Sequence, residues 1–502
     1  MTAEKRFDAS CLLTDEHVRR YITDGYLQLN CGLSEAVHGT IYRKLQWILH
    51  EEGNPGNNIL PAVPEMQQVL DSPVIQGALT SILGRNYVLH PHRFVHNIEP
   101  AERIDGELKI GKGSGSFVGW HQDSHSPLSR PRHHYPRYAM VLYYPQDTPD
   151  EMGPTQLIPA THLHAGISGA DKARGFQAPG PAGTCTLVHF DIAHGGSMNL
   201  ADRTRHMAKF VFARVEEPVE PSWNCGENAW RTPASHQSPV EMPEVWSRMW
   251  NWMCGRAALP DEPPEPGASP AELIDLWDSD PYRRLKSIYR LAALGEPAIG
   301  PLCAELETHS ESRWSEAAVV MENAAYALAA LGEAAVPALI VLLGHPSEWV
   351  QINTVFALGE IGAGARDAVP AVINMLRHPS HAVVRTALDA LGQMQAGNEA
   401  LPEIERLLTE SNPSWQEPLY RKWTGENQVR MNAMMALLRV KSPSDTLLNL
   451  VARSLNDPCG YVGGFGVEIL LRNPTPNGLN AALKYLQTHR WDNTLNRGIR
   501  TY

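Results

Sequence analysis

The sequence predicts a multidomain protein with an antiparallel β-sandwich or jelly roll and flanking helices, followed by an all-α solenoid. Short runs rich in β-branched and aromatic residues, separated by Pro and Gly, are typical of antiparallel sheets. These runs lie at 87–98, 137–144, 184–190 and 206–215. Helical segments at 15–24 and 34–51 precede them. From residue 282 onwards an Ala- and Leu-rich pattern recurs, which indicates stacked helical repeats.

Each repeat combines an Ala/Leu helix, a Gly-containing turn and a second helix with Pro near its start, where a missing N–H costs no hydrogen bond. Pro337, Pro370 and Pro402 mark three successive units and are 33 and 32 residues apart. The pattern resembles HEAT repeats, clearly over 282–411 and more faintly over 427–490. The most apolar stretch lies within the first of these units. It is long enough to be considered as a membrane span, but its pattern recurs in the next units, so we expect repeat helices and no membrane.

A proline-rich segment marks the expected domain boundary, because residues 259–270 contain five prolines and no apolar periodicity. The predicted units are a jelly-roll catalytic domain at 1–258, a linker at 259–281, a HEAT-like solenoid at 282–490 and a C-terminal tail at 491–502. Five tryptophans between 223 and 252 precede the linker. They predict a hydrophobic seam between domains, with a ligand-stacking platform as the alternative.

The composition excludes several classes of protein. The formal net charge is −12, which argues against nucleic acid as a partner. The seven cysteines are scattered without a CxxC motif, so neither a disulfide framework nor a thiolate zinc site is indicated. The first ten residues carry charges where a signal peptide would need an apolar core, so the cytoplasm is the expected location.

A candidate metal site comes from His121, Asp123 and His194. His121 and Asp123 are two residues apart, so on an extended strand both side chains point to the same face. Together with His194 they supply two imidazoles and one carboxylate, the facial triad that suits non-haem Fe(II) and leaves coordination positions open. A second His-x-Asp triplet, His189 and Asp191, lies too close to His194 for all three to wrap one ion. We interpret His189 as a packed or surface residue and Asp191 as a turn residue.

An arginine follows the triad at the start of the last β-rich run. An oxygenase that uses 2-oxoglutarate must hold the distal carboxylate of that acid, and a guanidinium does so with two hydrogen bonds. Arg205 is the predicted anchor because it adjoins the strand. Arg203 is the competitor, two residues earlier and still in the loop.

Four ordered motifs resemble the phytanoyl-CoA dioxygenase family of Fe(II)/2-oxoglutarate oxygenases. They are LTDEHVRRYITDGYLQL at 13–29, GWHQDSHSP at 119–127, MGPTQLIPATH at 152–162, and HGGSMN from 194 together with Arg205. The resemblance implies a double-stranded β-helix, iron on His121, Asp123 and His194, and 2-oxoglutarate on Arg205. This chain has Gly196 where the family often has Ser, so the hydroxyl contact to 2-oxoglutarate is expected either to be missing or to be supplied by Ser197. Because Asp123 is retained, halogenation is not expected.

The expected reaction is the O₂-dependent hydroxylation of an unactivated carbon of a small molecule, with release of succinate and CO₂. A basic segment at 125–137 contains no acid, so it either faces an anionic or carrier-linked substrate or forms a solvated loop. The tentative substrate contacts are Arg93, His125, Arg130 and Arg132. The solenoid is expected to bind a protein partner or to mediate self-association. The alternative function is an interaction scaffold that uses the concave surface of the solenoid and carries a vestigial oxygenase domain. The sequence names neither the substrate nor the oxidised carbon, and hydroxylation, desaturation and cyclisation share the same triad.

Overall fold

The computed structural model describes residues 8–109, 111–113, 119–123, 132–256, 270–309, 321–420 and 423–488. Residues 259–269 of the predicted linker, the whole predicted tail, and the candidate substrate residues His125 and Arg130 lie outside the described residues. We refer below to residues 8–256 as the N-terminal region and to residues 270–488 as the helical region.

The N-terminal region contains helices and antiparallel strands. Its helices are α1 (Asp15–Asp24), α2 (Glu35–Glu51), α3 (Ile59–Ala62), α4 (Met66–Leu70), α5 (Pro73–Leu83), α6 (Gly169–Ala173) and α7 (Pro243–Met253). Its strands are β1 (Tyr26–Asn30), β2 (Val88–Ile98), β3 (Glu102–Ile104), β4 (Glu107–Lys109), β5 (Tyr138–Tyr143), β6 (Gln156–Ile158), β7 (Phe176–Gln177), β8 (Thr184–His189), β9 (Ala193–Gly195) and β10 (Arg205–Ala213). The four predicted β-rich runs are confirmed as β2, β5, β8 and β10, and the two predicted early helices as α1 and α2.

Two antiparallel sheets form the centre of the N-terminal region. The larger has the strand order β1-β8-β5-β10-β2 and the smaller the order β7-β6-β9. Strand β10 lies between β5 and β2, and all nine of its residues are buried. A buried central strand can carry charged side chains only where they find partners or line a site. Arg205 and Lys209 therefore mark the sheet face that carries the functional groups.

The helical region consists of two layers. Its helices are α8 (Pro281–Ala293), α9 (Ile299–His309), α10 (Asn323–Leu331), α11 (Val336–Leu342), α12 (Glu348–Ile361), α13 (Val369–Met375), α14 (His381–Gln393), α15 (Leu401–Thr409), α16 (Gly425–Leu438), α17 (Asp445–Ser454), α18 (Gly460–Arg472) and α19 (Pro476–Thr488), and a short hairpin is formed by β11 (Pro418–Tyr420) and β12 (Trp423–Thr424). The even-numbered helices α8 to α18 contact one another in succession and form the inner layer, on which the odd-numbered helices pack.

The helix starts predicted from the prolines are confirmed. Pro337, Pro370 and Pro402 each lie in the first turn of a helix, α11, α13 and α15. The apolar stretch 323–342 is long and hydrophobic enough for a membrane span by length and composition, and half of it is buried inside the protein. It is not one straight helix, because α10 ends at Gly332, whose φ of 68° is a conformation that favours glycine. The two parts, α10 and α11, belong to one repeat.

The inner layer contacts the N-terminal region from α10 to α18. The Tyr326 hydroxyl of α10 donates to the carbonyl oxygen of Arg132 at 2.7 Å. On α18, the hydroxyl oxygen of Tyr461 lies 2.8 Å from His92 Nδ1 and accepts a hydrogen bond from Asn57 Nδ2 at 3.0 Å. In the part of the chain that the structure describes, the surface that a scaffold would offer to another protein is therefore covered by the protein's own N-terminal region.

A buried group of charges lies in the middle of this contact. The carboxylate of Glu360, on α12, accepts hydrogen bonds from His133 Nδ1 at 2.8 Å and from Arg137 Nε at 3.1 Å. Asp389, on α14, lies 3.6 Å from His133 Nε2 and accepts from Arg439 Nη1 at 3.1 Å. Because charged groups taken out of water are stable only when they are paired, this group fixes how the two regions fit together. The interpretation of residues 132–137 as a solvated loop is wrong, since all six are buried here.

The ionisation of Glu360 makes the free energy of unfolding of the protein depend on pH. Burial alone would raise the pKa of this carboxyl group, but the nearby charges of Arg137 and His133 outweigh it and hold the pKa at about 2, below the usual 4.5. The ionised carboxylate of Glu360 therefore stabilises the folded protein above about pH 4.5, and this stabilisation is lost as the pH falls towards 2. It amounts to about 3 kcal/mol. Chemical denaturation would measure the free energy of unfolding at pH 7 and pH 3. Its decrease between these pH values should be larger for the wild type than for Glu360→Gln. Equal decreases in the two proteins would contradict this prediction.

The five tryptophans before the linker pack against other side chains of the N-terminal region. Trp223 and Trp250 have ring centroids 5.0 Å apart. Trp252 stacks on Tyr135 at 4.6 Å, and the guanidinium of Arg214 lies 4.9 Å from its ring centroid. Helix α7, which carries three of these tryptophans, also contacts α1 and α8. These contacts support the predicted hydrophobic seam. Tyr135 and Arg214 already lie against the ring of Trp252, where a stacked ligand would have to bind.

Candidate metal centre

Backbone pairing brings the two predicted histidine ligands together. His194 is the middle residue of β9, and His121 forms an isolated antiparallel bridge with it. Each of the two backbone N–H groups donates to the carbonyl oxygen of the other residue at 2.9 Å. The imidazole rings consequently lie side by side, with centroids 4.3 Å apart. Seventy-odd residues separate the two histidines in the sequence, so the short bridge is what makes them neighbours.

Asp123 completes the cluster. Its Oδ1 lies 3.7 Å from His121 Nε2, and its Oδ2 lies 3.8 Å from His194 Nε2. One ligand atom from each of the three residues falls within 4.8 Å of the other two. Oxygen and imidazole donors at this spacing can converge on one divalent ion with bonds of about 2 Å. The residues present therefore fit the facial triad that the sequence predicts.

The other ring nitrogens fix the imidazole orientations. His194 Nδ1 lies 3.0 Å from the carbonyl oxygen of Ile192, and His121 Nδ1 lies 3.3 Å from that of Gly119. A carbonyl oxygen only accepts, so Nδ1 carries the proton in each ring and Nε2 keeps its lone pair for a metal. Burial, followed by the charge of His121, lowers the pKa of His194 to about 4, so this ligand is neutral at neutral pH.

Lys209, which the sequence pattern did not single out, contacts the cluster. Its ammonium group donates to Asp123 Oδ2 at 2.8 Å, and its side chain is 4% exposed. Burial would raise the pKa of Asp123, but the charges of Lys209, His194 and His121 outweigh this effect and hold the pKa well below its usual range. Lys209 therefore keeps the carboxylate ionised and fixes its orientation. Since Arg205, Met207 and Lys209 alternate along β10 on one sheet face, the strand pattern itself could have revealed this residue.

Replacing Lys209 by methionine should weaken metal binding. Methionine keeps most of the apolar volume of the side chain but no longer holds Asp123 in place, and the loss of such a supporting contact typically costs 10–100-fold in affinity or activity. Anaerobic Fe(II) titration followed by spectroscopy would measure the change. Lys172→Met, at an exposed lysine of α6, is the matched control. Equal Fe(II) affinity in Lys209→Met and wild type would contradict the role assigned to Lys209.

Arg205 lies buried on the same strand. Its Nε donates to the carbonyl oxygen of Gly153 at 3.1 Å, its Nη1 is 3.5 Å from that of His96, and the residue is 1% exposed. It forms no ion pair with any carboxylate of the described residues. A buried guanidinium without a counter-ion is costly, so a carboxylate ligand would complete this environment. Arg203, the competitor, is exposed and donates to the carbonyl oxygen of Asp147.

The remaining predicted residues lie in different surroundings. The Ser197 hydroxyl is buried and donates to the carbonyl oxygen of Pro154. Arg93 donates through Nε to the carbonyl oxygen of Asn57 at 2.8 Å. Arg132 is buried beneath α10, where its Nη1 lies 3.3 Å from the carbonyl oxygen of His162. Neither arginine belongs to the metal cluster, and their substrate roles stay predictions.

The side chains next to the cluster also have defined positions. His189 is buried, with its Nδ1 3.2 Å from the backbone N–H of Asp191. Gln122, between two ligands, donates through Nε2 to the carbonyl oxygens of Thr161 and His164, both at 2.9 Å. Gln122 thus ties the strand that carries His121 and Asp123 to the adjoining loop.

Two imidazoles and one carboxylate on an antiparallel sheet, beside a buried arginine, fit the class of non-haem Fe(II)/2-oxoglutarate-dependent oxygenases. Residues 24–207 match the family model of phytanoyl-CoA dioxygenase, and residues 336–417 match that of HEAT repeats. The chain therefore contains a phytanoyl-CoA dioxygenase domain of this enzyme class, with Fe(II) and 2-oxoglutarate as its cofactors, followed by HEAT repeats. Both resemblances stated from the sequence are confirmed.

Solved structures of the same class resemble this part of the chain. The α-ketoglutarate-dependent epimerase SnoN from nogalamycin biosynthesis is 16% identical, with a TM-score of 0.32, and the match covers 45% of this chain and 95% of SnoN. The carbocyclase SnoK from the same biosynthesis is 17% identical, with a TM-score of 0.33 and coverages of 47% and 96%. EctD from S. alaskensis, solved with 2-oxoglutarate and 5-hydroxyectoine, is 16% identical, with a TM-score of 0.33 and coverages of 45% and 86%. No curated protein matches the chain.

Proposed function

We propose that the protein is a dioxygenase that hydroxylates an unactivated carbon of a small molecule and converts 2-oxoglutarate and O₂ to succinate and CO₂. The observation that supports this most is the convergence of His121, Asp123 and His194 within 4.8 Å beside a buried, carboxylate-free Arg205. In this proposal the two sheets form a double-stranded β-helix within a catalytic domain of residues 1–258. The helices of residues 282–490 form a solenoid, joined to the catalytic domain by the linker at 259–281.

The side chains of the site have separate tasks in this proposal. His121, Asp123 and His194 would hold Fe(II), which together with bound 2-oxoglutarate supplies the oxidising chemistry. Arg205 would anchor the distal carboxylate of 2-oxoglutarate, and Ser197 would border that site. Lys209 holds the Asp123 carboxylate in place, and its charge keeps that carboxylate ionised throughout the reaction. The backbone carbonyls of Ile192 and Gly119 hold the imidazole tautomers with Nε2 towards the ion.

Substrate and partners belong to the same proposal. The substrate is a small molecule, anionic or linked to a carrier, with Arg93, His125, Arg130 and Arg132 as proposed contacts. We place the protein in the cytoplasm, without a nucleic-acid or membrane partner. Since the inner layer of helices is covered, a protein partner or a second copy would have to use the outer helices. The interaction scaffold with a vestigial oxygenase is the less favoured function, because the four site residues are all in place.

Turnover of 2-oxoglutarate tests the proposed function. The full-length protein, purified without oxygen and then given Fe(II), 2-oxoglutarate and air, should form succinate slowly even without substrate. Adding a metabolite extract should speed this reaction and yield a product heavier by one oxygen atom. Mass spectrometry would measure both compounds, and EDTA-treated protein provides the background. Succinate formation no faster than that background, with and without extract, would contradict the proposal.

Arg205→Met should raise the KM for 2-oxoglutarate. Methionine removes the guanidinium that would bind the distal carboxylate, and a hydrogen-bonded charge of this kind is worth about 1.5–3 kcal/mol, or about 10–100-fold. The succinate assay at increasing 2-oxoglutarate concentration would measure this change. Arg203→Met is the matched control and should leave the KM within about twofold. A larger effect in Arg203→Met than in Arg205→Met would reverse the assignment.

A further inference from the structure

Helix α18 of the helical region packs closely on residues 90–93 of strand β2. The ring of Phe465 meets that of His90 edge to face, with ring centroids 4.9 Å apart, and both residues are buried. Gly464 lies directly against Pro91, because a Cβ atom at Gly464 would come within 2.8 Å of the proline ring. Closely packed contacts of this kind leave a strand segment little freedom to move. Helix α18 therefore fixes the position of this part of β2.

Tyr461, also on α18, holds the same segment through hydrogen bonds. Its hydroxyl oxygen lies 2.8 Å from His92 Nδ1 and accepts a hydrogen bond from Asn57 Nδ2 at 3.0 Å. Asn57 Oδ1 in turn accepts from the backbone N–H of Arg93 at 3.1 Å, and the Asn57 carbonyl oxygen accepts from Arg93 Nε at 2.8 Å. Both Tyr461 and His92 are buried, so water does not replace a hydrogen bond that is lost here. The Tyr461 hydroxyl thus orients His92 and, through Asn57, supports Arg93.

The segment that α18 holds is irregular in its pairing with strand β10. Residues 90–92 of β2 lie opposite the single residue Val211, so β2 carries two extra residues at this point. Such bulges are common next to active sites, where they change the direction of a side chain. Just beyond the bulge, Phe94 pairs directly with Lys209. His92 therefore lies on β2 close to the position where Lys209 leaves the neighbouring strand.

His92 is also within electrostatic reach of the metal centre. Burial, followed by the charge of Lys209, lowers the pKa of His92 to about 3, and the charge of Asp123 opposes this shift. The imidazole is therefore neutral at neutral pH, which suits a position near an ammonium group. Lys209 in turn donates to Asp123 Oδ2 at 2.8 Å. Tyr461, His92, Lys209 and Asp123 consequently form a series of neighbours that leads from the helical region to a candidate metal ligand.

We infer that Tyr461 is a positioning residue of the metal centre. By orienting His92 near Lys209, helix α18 supports the arrangement in which Lys209 holds the Asp123 carboxylate. Without the hydroxyl, the His92 ring would turn more freely and Lys209 would fix Asp123 less well. The helical region is in this way part of the catalytic unit. The inference rests on the role of Asp123 as a metal ligand in the proposed function.

Anaerobic Fe(II) titration of full-length Tyr461→Phe tests the inference. The Fe(II) affinity should fall at least about threefold, which is less than the 10–100-fold expected for a direct contact to a ligand, because Tyr461 acts through two other side chains. Tyr289→Phe is the matched control. The Tyr289 hydroxyl, on α8, lies 2.6 Å from His134 Nδ1, so this variant loses the same kind of contact between the two regions at the opposite end of the inner layer. It should bind Fe(II) as wild type does.

A double-mutant cycle shows whether Tyr461 acts through His92. His92→Phe alone should weaken Fe(II) binding at least as much as Tyr461→Phe, and adding Tyr461→Phe to it should cause no further loss. Circular dichroism would establish that each variant is folded.

Three results would overturn the inference: wild-type Fe(II) affinity in folded Tyr461→Phe or His92→Phe, an equal loss of affinity in Tyr289→Phe, or losses that add in the double variant. A wild-type protein that binds no Fe(II) would contradict the proposed function itself, and the inference with it.

Discussion

Asp123→Ala is expected to reduce succinate formation to the level of metal-free protein. Asp123 supplies the one carboxylate of the cluster, and two imidazoles alone leave a divalent ion with too few protein ligands. Since even supporting contacts of a metal site are worth 10–100-fold, loss of a ligand should cost at least about 100-fold. The succinate assay and anaerobic Fe(II) titration would measure activity and binding separately.

Two further variants make this experiment decisive. Asp202→Ala removes an exposed aspartate close to the same strand and should keep wild-type activity. Asp123→Asn keeps the volume of the side chain but, like alanine, removes the charge that pairs with Lys209, so it separates loss of volume from loss of charge as the cause of any unfolding seen by circular dichroism. If folded Asp123→Ala protein binds Fe(II) and forms succinate like wild type, the assigned metal site is wrong.

Glu360→Ala is expected to destabilise the whole protein by about 3–5 kcal/mol. The substitution removes the carboxylate that pairs with His133 and Arg137 and leaves both groups buried at the contact between the two regions. Removal of one partner of a buried pair costs more than the pair contributes, because the remaining groups lose a counter-ion and gain no solvation. Arg137 keeps its ion pair with Glu217, and His133 stays 3.6 Å from Asp389. Urea denaturation followed by tryptophan fluorescence would measure the change in the free energy of unfolding.

A glutamate on the same helix provides the comparison. Glu348, at the start of α12, is exposed and accepts a hydrogen bond from the Ser380 hydroxyl. Its replacement by alanine should cost less than about 1 kcal/mol. A similar small cost for Glu360→Ala would mean that the buried charges contribute little to holding the two regions together.

The convergence of the candidate metal ligands and the presence of the repeats were predictable, because each has a signal that is local in the sequence or follows from side-chain chemistry. Two residues two positions apart share a strand face, and prolines at a regular spacing mark helix starts. Lys209 is harder to recognise from the sequence, because a single lysine in an apolar strand resembles a surface residue of an edge strand. Because alternate residues of a strand share one face, Lys209 is expected on the same face of β10 as Arg205.

The contact between the two regions could not be predicted from the sequence. His133 and Arg137 lie in a short basic segment, and their partner Glu360 is more than 220 residues away. Nothing near either partner indicates which distant charge it meets, so a substrate contact or a solvated loop was the natural interpretation. Charge pairs of this kind become visible only once the packing of the helices is known.

The inner layer of helices packs against the N-terminal region, and this contact limits how domains can be exchanged, both in protein engineering and in evolution. Recombination at the proline-rich segment would separate His133 from Glu360 and His92 from Tyr461, although the segment looks like a natural point of fusion. A chimera that joins this oxygenase to foreign repeats would inherit mismatched buried charges. Functional exchange would require both halves to be transferred as one unit.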